Sequence, residues 1–162
     1  ILLSPADGKI LFVGKSKSPP NLSDNQSKEM QKISIFMNVF DVHINRIPIS
    51  GKISWLKYVP GIFLNASLDK SSEDNERMII KIEYSKNKYV YVVQIAGLIA
   101  RRIKCDLAEN QSVEIGDRFG LIRFGSRVDL YFPNDFDPMV YKGQTSISGE
   151  TILADYKPLK SK

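Results

Sequence analysis

Residues 119–130 read FGLIRFGSRVDL, and a Gly125-Ser126 step interrupts this β-prone run. Arg123 and Arg127 flank the step. Glycine weakens a strand and marks a bend, a bulge or a close backbone approach. A serine hydroxyl attacks a carbonyl when a neighbouring group activates it. The ordinary reading of such a step is a β-bulge with an exposed serine.

Two further residues could serve that serine. His43 is the only histidine, at the end of an apolar run between Asp41 and Arg46. It is the one side chain whose unperturbed pKa lies near neutrality, so it suits a general acid or base. A partly buried structural histidine is the plainer reading. Asp7 lies in a PADG turn (residues 5–8). Asp-Gly makes turns without any function; the functional alternative is a carboxylate that orients His43 or the serine. Arg46, Arg101, Arg102 and Arg127 are candidates for holding a phosphate. Only one of Arg101 and Arg102 faces a given side of a strand.

Other chemistries are excluded or unsupported. One cysteine, Cys105, rules out an internal disulfide and a cysteine zinc site. One histidine rules out a multi-histidine metal centre and a two-histidine phosphorelay. Glycine-rich phosphate loops and nucleic-acid-binding motifs are missing, so no nucleic-acid partner is expected. A hydrophobic fraction of 43 % with 25 % charged residues describes an ordinary globular chain, and 162 residues make one domain. The net charge of +5 suits an anionic membrane surface or a phosphate-bearing substrate without selecting either. Neither a signal peptide nor an apolar run of membrane-spanning length is visible.

The elements that must position these residues read as strands. A strand, the PADG turn and a second strand from Lys9 fill residues 1–13. Residues 15–32 read as a polar surface loop around Pro19-Pro20. Residues 33–40 read as a buried strand, and residues 53–59 and 78–84 alternate. Residues 71–77 (SSEDNER) read as a charged loop, with a tight turn at Asn87-Lys88. Residues 89–100 form a long apolar stretch with Gly97 as its bend. A loop is expected over 133–138, with short strands around Val140 and over 147–153. Turn signals recur at short spacing and no stretch has a helical period, which predicts an all-β sandwich or barrel.

Four segments in this order, SPADG (4–8), DVH (41–43), NER (75–77) and RFGS (123–126), resemble phosphatidylserine decarboxylase proenzymes, most closely the short bacterial and archaeal class. The stretches IFMNVFDVHINRIP, FLNASLDKSSEDNER and QIAGLIARRI also read like that class, and the resemblance spans residue 4 to about residue 154. It implies a self-cleaving proenzyme. The Ser126 hydroxyl attacks the Gly125 carbonyl and turns the amide into an ester. Elimination leaves a dehydroalanine, which hydrolyses to a pyruvoyl group and ammonia. The products are a β chain, 1–125, and an α chain, 126–162, which stay associated and can assemble further.

The implied cofactor is therefore a covalent pyruvoyl group made from Ser126, with no metal and no pyridoxal phosphate. Its ketone takes the amine of phosphatidylserine and withdraws electrons as CO2 leaves. His43 matches the histidine that protonates the carbanion, and Asp7 matches the aspartate that supports self-cleavage. In the longer class a second histidine acts as the triad base, and its place is Arg46 here, which cannot deprotonate serine. His43 in both phases, or a more direct role for Asp7, is the resulting expectation. The family implies a fold related to barrel-sandwich hybrids and a peripheral place on the cytoplasmic side of the cell membrane. It also implies an N-terminal membrane-associating segment that this sequence does not include. The competing readings are a non-enzymatic hybrid-barrel carrier and a pyruvoyl decarboxylase acting on a soluble amino acid.

Overall fold

The computed structural model describes residues 1–20, 22, 28–37, 44–68, 70–98, 103–122 and 125–158. The fold is all-β, as the turn spacing predicts. Its centre is an eight-stranded antiparallel sheet built from β2 (Gly8–Lys17), β3 (Glu29–Met37), β5 (Gly51–Val59), β6 (Arg77–Ser85), β7 (Lys88–Ile95), β9 (Ser112–Val113), β11 (Ser126–Phe132) and β13 (Thr145–Ser146). The strand order is β13-β2-β3-β11-β7-β6-β5-β9. Two three-stranded sheets complete the fold. One is β4 (Ile44–Arg46), β10 (Arg118–Ile122) and β8 (Ile103–Cys105), in the order β4-β10-β8. The other is β1 (Leu2–Leu3), β14 (Ile152–Tyr156) and β12 (Phe136–Pro138), in the order β1-β14-β12.

Alternation along the central strands divides the apolar residues between two faces. On the inner face Ile33, Ile35 and Met37 of β3, Val128, Leu130 and Phe132 of β11, and Val90 and Val92 of β7 meet Ile47, Phe119, Ile122, Phe136 and Leu153 from the small sheets and their connections. The outer face carries a smaller cluster of Met30, Ile79, Tyr91, Val93, Ile95 and Tyr131. Strand β11 lies between β3 and β7, and all seven of its residues are buried.

Several sequence expectations are corrected. The polar stretch 15–32 is strand at both ends, because Lys15, Ser16 and Lys17 pair with Gln31, Met30 and Glu29; polar residues extend a ladder when one face is wet. The SSEDNER segment is not a solvated loop. Ser71, Ser72, Asn75 and Arg77 are buried, and Ser71–Asp74 forms a single-turn helix, α1. The β6–β7 turn falls one residue earlier, at Lys86-Asn87, where Asn87 takes the left-handed φ of 59°. The 133–138 stretch contains β12, and the last strands centre on 145–146 and 152–156. The central stretch is not one bulged strand: β10 and β11 belong to different sheets.

A strand buried on both faces cannot leave charges unpaired. Arg127 and Asp129 share the outer face of β11 at 2 % and 0 % exposure, and Arg127 Nε donates to Asp129 Oδ1 at 2.7 Å. Arg127 Nη2 donates to Ser34 Oγ at 2.9 Å, and Nη1 to the Leu68 carbonyl at 3.3 Å. Ser72 donates to Asp129 Oδ2 at 2.7 Å. The pair thus fastens α1 and the segment before it to the back of β11. Asp129→Ala leaves a buried guanidinium without its carboxylate and is expected to cost about 3–5 kcal/mol in urea unfolding. Combining it with Arg127→Met is expected to recover part of that loss.

Candidate active site

Gly125 and Ser126 sit where the chain enters β11. Gly125 takes φ +76°, a region that L side chains avoid, and its N–H donates to the Met37 carbonyl at 2.7 Å. A Cβ at Gly125 would meet nothing within 4 Å, so glycine is required there by conformation and not by space. Ser126 is fully buried and pairs with Met37, on the inner face with Val128 and Leu130. The expected exposed bulge serine is corrected: this serine points into the molecule.

Gly97 has the complementary constraint. A Cβ there would fall on the Gly125 carbonyl oxygen, 2.9 Å from the carbonyl carbon and 3.4 Å from the Ala66 methyl. Its role is therefore a close backbone approach, not only the bend expected after β7. The approach is held by Asn75, whose Nδ2 donates to the Leu64 and Ala96 carbonyls at 2.8 Å each, and whose Oδ1 accepts from Leu64 N–H at 3.0 Å. Arg77 closes the same corner through Nη1 on the Glu73 and Asn75 carbonyls. Burial lowers the pKa of its guanidinium, and burial above all holds the Tyr131 phenol far above its ordinary range. The NER motif thus works as a buried clamp behind the Gly125 carbonyl.

Asp7 is half-buried, and its Oδ1 accepts from Ser148 N–H at 2.6 Å. Ser148 Oγ donates to the Ile44 carbonyl at 3.2 Å. The Pro5 carbonyl accepts from Arg46 N–H at 3.0 Å and Asn45 Nδ2 at 3.3 Å. The Asp7 turn is thereby docked on β4, the strand that directly follows His43. His43 itself lies outside the described residues, as do Arg101, Arg102 and Arg123.

The two described arginine candidates are both engaged. Arg46 donates from Nη1 to the Gly116 carbonyl at 2.8 Å, and its stem lies over Gly149, where a Cβ would come within 2.7 Å of Cδ. Arg127 is buried on the outer face, opposite in direction to Ser126. Among the described residues no group of three or more His, Cys, Asp or Glu side chains is placed to hold a metal ion.

Sequence reasoning passed over Asn45, Gln94, Asp129 and Ser148, and read Gly97 only as a bend. Within the strands the signal was a polar residue in an otherwise apolar phase, which period-2 patterning registers only as noise.

The two glycines near the serine make separable predictions. Gly97→Ala forces the Gly125 carbonyl to move and is expected to lower stability by about 1–3 kcal/mol through overpacking. Gly125→Ala meets no atom and is expected to cost about 1–2 kcal/mol of backbone strain. Thermal unfolding measures both. A crystal structure of Gly125→Ala would show the neighbours unmoved, whereas one of Gly97→Ala would show a displaced Gly125.

Comparison with known proteins places this geometry in a family. The phosphatidylserine decarboxylase family model matches residues 1–154. The phosphatidylserine decarboxylase proenzyme of Paramagnetospirillum magneticum is 54 % identical over 155 residues, covering 96 % of this chain and 64 % of that protein. Those of Rickettsia typhi and Rickettsia prowazekii are each 52 % identical over 156 residues, covering 96 % of this chain and 67 % of theirs. The chain thus spans about two thirds of the length of these relatives. The chain belongs to the phosphatidylserine decarboxylase family.

Proposed function

We propose that this chain is the catalytic body of a self-processing phosphatidylserine decarboxylase, which converts phosphatidylserine to phosphatidylethanolamine and CO2. The observation that carries the reading is the Gly125–Ser126 peptide itself. It is a glycine at φ +76° joined to a buried serine, with its carbonyl packed on Gly97.

In maturation Ser126 Oγ adds to the Gly125 carbonyl carbon, the peptide C–N bond breaks, and the amine nitrogen of residue 126 takes up a proton. The resulting ester loses its Cα proton and its carboxylate, leaving Gly125 as a free C-terminus. Water then replaces the enamine nitrogen, releasing ammonia and leaving the pyruvoyl group. The residues present fit that origin, because Ser126 carries its hydroxyl next to the preceding carbonyl in the chain and glycine at 125 puts no side chain beside that carbonyl. When formed, the pyruvoyl group supplies a ketone that takes the substrate amine and acts as an electron sink.

His43 and Asp7 are assigned to proton transfer. Asp7 is anchored through Ser148 to the start of β4, and His43 precedes that strand by one residue. Arg127 keeps its structural pairing and Arg46 its bond to the Gly116 carbonyl in this reading, which leaves Arg101 and Arg102 for the lipid phosphate. No helix among the described residues is long and apolar enough to cross a membrane. The net charge of +5 favours docking on an anionic lipid surface.

The two product chains would remain together. β11, from the α chain, is hydrogen-bonded between β3 and β7 of the β chain; β13 pairs with β2, and β14 with β1. Denaturing electrophoresis with mass spectrometry is expected to show chains 1–125 and 126–162, the second with a blocked pyruvoyl terminus. Native chromatography should return both in one peak. The matured protein should release CO2 from phosphatidylserine vesicles, and Ser126→Ala should stay intact and inactive. A wild-type chain that remains intact on prolonged incubation would overturn the reading. His43→Ala that cleaves normally but does not decarboxylate would confine His43 to carbanion protonation.

A further inference from the structure

The inner face of β7 carries Val90, Val92 and then Gln94, a fully buried polar side chain in an apolar row. Gln94 stands opposite Val128 on β11. Ser126 therefore lies two residues further along on the same face, within diagonal reach of a long side chain.

The amide of Gln94 is held in a built setting. Its Nε2 donates to Asn45 Oδ1 at 2.9 Å and to the Lys104 carbonyl at 3.2 Å. Both partners are acceptors, since Asn45 uses its own Nδ2 on the Pro5 carbonyl, so the orientation of each amide follows from the bonds. Asn45 is also fully buried. The space for the Gln94 amide exists because residue 120 is glycine; a Cβ there would come within 2.8 Å of Nε2. Gln94 Oε1 is buried and has no hydrogen-bond partner among the described residues.

Folding alone does not call for this arrangement. With an apolar pair at positions 94 and 45, the row of Val90 and Val92 would continue and the unpaired Gln94 Oε1, which stability disfavours, would be gone. What the amide does provide is a polar thread across the core. It runs from β7 beside the Gly125–Ser126 peptide to Asn45 on β4, and from Asn45 to the turn that carries Asp7.

We propose that Gln94 is a positioning residue for self-cleavage at Ser126. Acting through Asn45, its amide fixes the strand beside the scissile peptide against the segment that follows His43 and against the Asp7 turn. The inference rests on the self-processing reading above and adds the residue that holds three separate segments in one register. Reactions of this kind are sensitive to such registration, because misplacement of about 1 Å costs on the order of 100-fold in rate.

The test is the first-order rate at which full-length precursor yields the 126–162 fragment, followed well below each variant's thermal midpoint. Gln94→Leu and Asn45→Leu are each expected to slow cleavage by about 10-fold or more. The double variant should be no slower than the slower single one, because the two side chains act as one unit. Exchange of the two amides, Gln94→Asn with Asn45→Gln, should recover most of the rate, which a loss of packing alone would not allow. Gly120→Ala, whose Cβ would meet both the Gln94 amide and the Lys104 carbonyl that this amide bonds, should also slow cleavage. If the single variants unfold more easily yet cleave at the wild-type rate while folded, the positioning role is overturned. Additive slowing in the double variant overturns the route through Asn45. Should a leucine variant show no cooperative unfolding transition, the amide exchange and Gly120→Ala decide by the same rates. A wild-type precursor that does not cleave refutes the self-processing reading instead, so the two failures are distinct.

Discussion

The constraint on which the rest of the structure depends is the burial of β11 on both faces. A strand in that position must satisfy every polar group internally, and β11 begins with three of them in its first four residues: Ser126, Arg127 and Asp129. Alternation separates them cleanly. Arg127 and Asp129 turn outward, pair with each other, and bind Ser34, Ser72 and the Leu68 carbonyl. Ser126 turns inward on the face that carries the buried amides of Gln94 and Asn45. One strand thus supports two functions. Its outer side is a fastening, and its inner end carries the serine that the proposed self-cleavage consumes.

That division suits a reaction in which the chain is cut at the first residue of the strand. Loss of the 125–126 peptide removes the covalent tether but leaves the ladder to β3 and β7 intact, together with the buried ion pair. A buried pair of this kind is not a strong net source of stability, because desolvation offsets much of the Coulomb attraction. Its value lies in specificity: the loop bearing Leu68 and Ser72 has one way to sit behind β11. Through Ala66 and Asn75 that loop also sets the contact between Gly97 and the Gly125 carbonyl. The outer fastening therefore reaches the carbonyl that the inner serine would attack in the proposed self-cleavage.

Much of this was legible in the sequence, and the remainder has physical reasons for being hidden. Turn chemistry and alternation fix the fold class because they are local. The Gly125-Ser126 step stood out because glycine is costly inside a strand. The inward direction of Ser126 was not legible, since residues 119–130 look like one continuous strand until pairing assigns β10 and β11 to different sheets. SSEDNER looks solvated because its composition is polar. Its burial follows from partners distant in sequence, chiefly Asp129 for Ser72 and Ala96 for Asn75. Gly97 read as a bend because a close approach needs the second backbone to be seen.

Arg46 shows how a departure from the family pattern can be structurally absorbed. It stands where the longer class carries its second histidine, and a guanidinium cannot accept the serine proton. Here its side chain instead ties β4 to the turn at Gly116, over a hole that exists because residue 149 is glycine. The same short segment, 146–149, supplies the Ser148 N–H that holds Asp7. The seating of Arg46 and the anchoring of the Asp7 carboxylate are thus features of one corner, in which β4, the Asp7 turn and residues 146–149 pack together. With position 46 committed to that corner, His43 and Asp7 are the groups that the proposed self-cleavage leaves to take the Ser126 proton. Both are attached to β4, and Asn45 and Gln94 hold β4 against the strand beside the scissile bond.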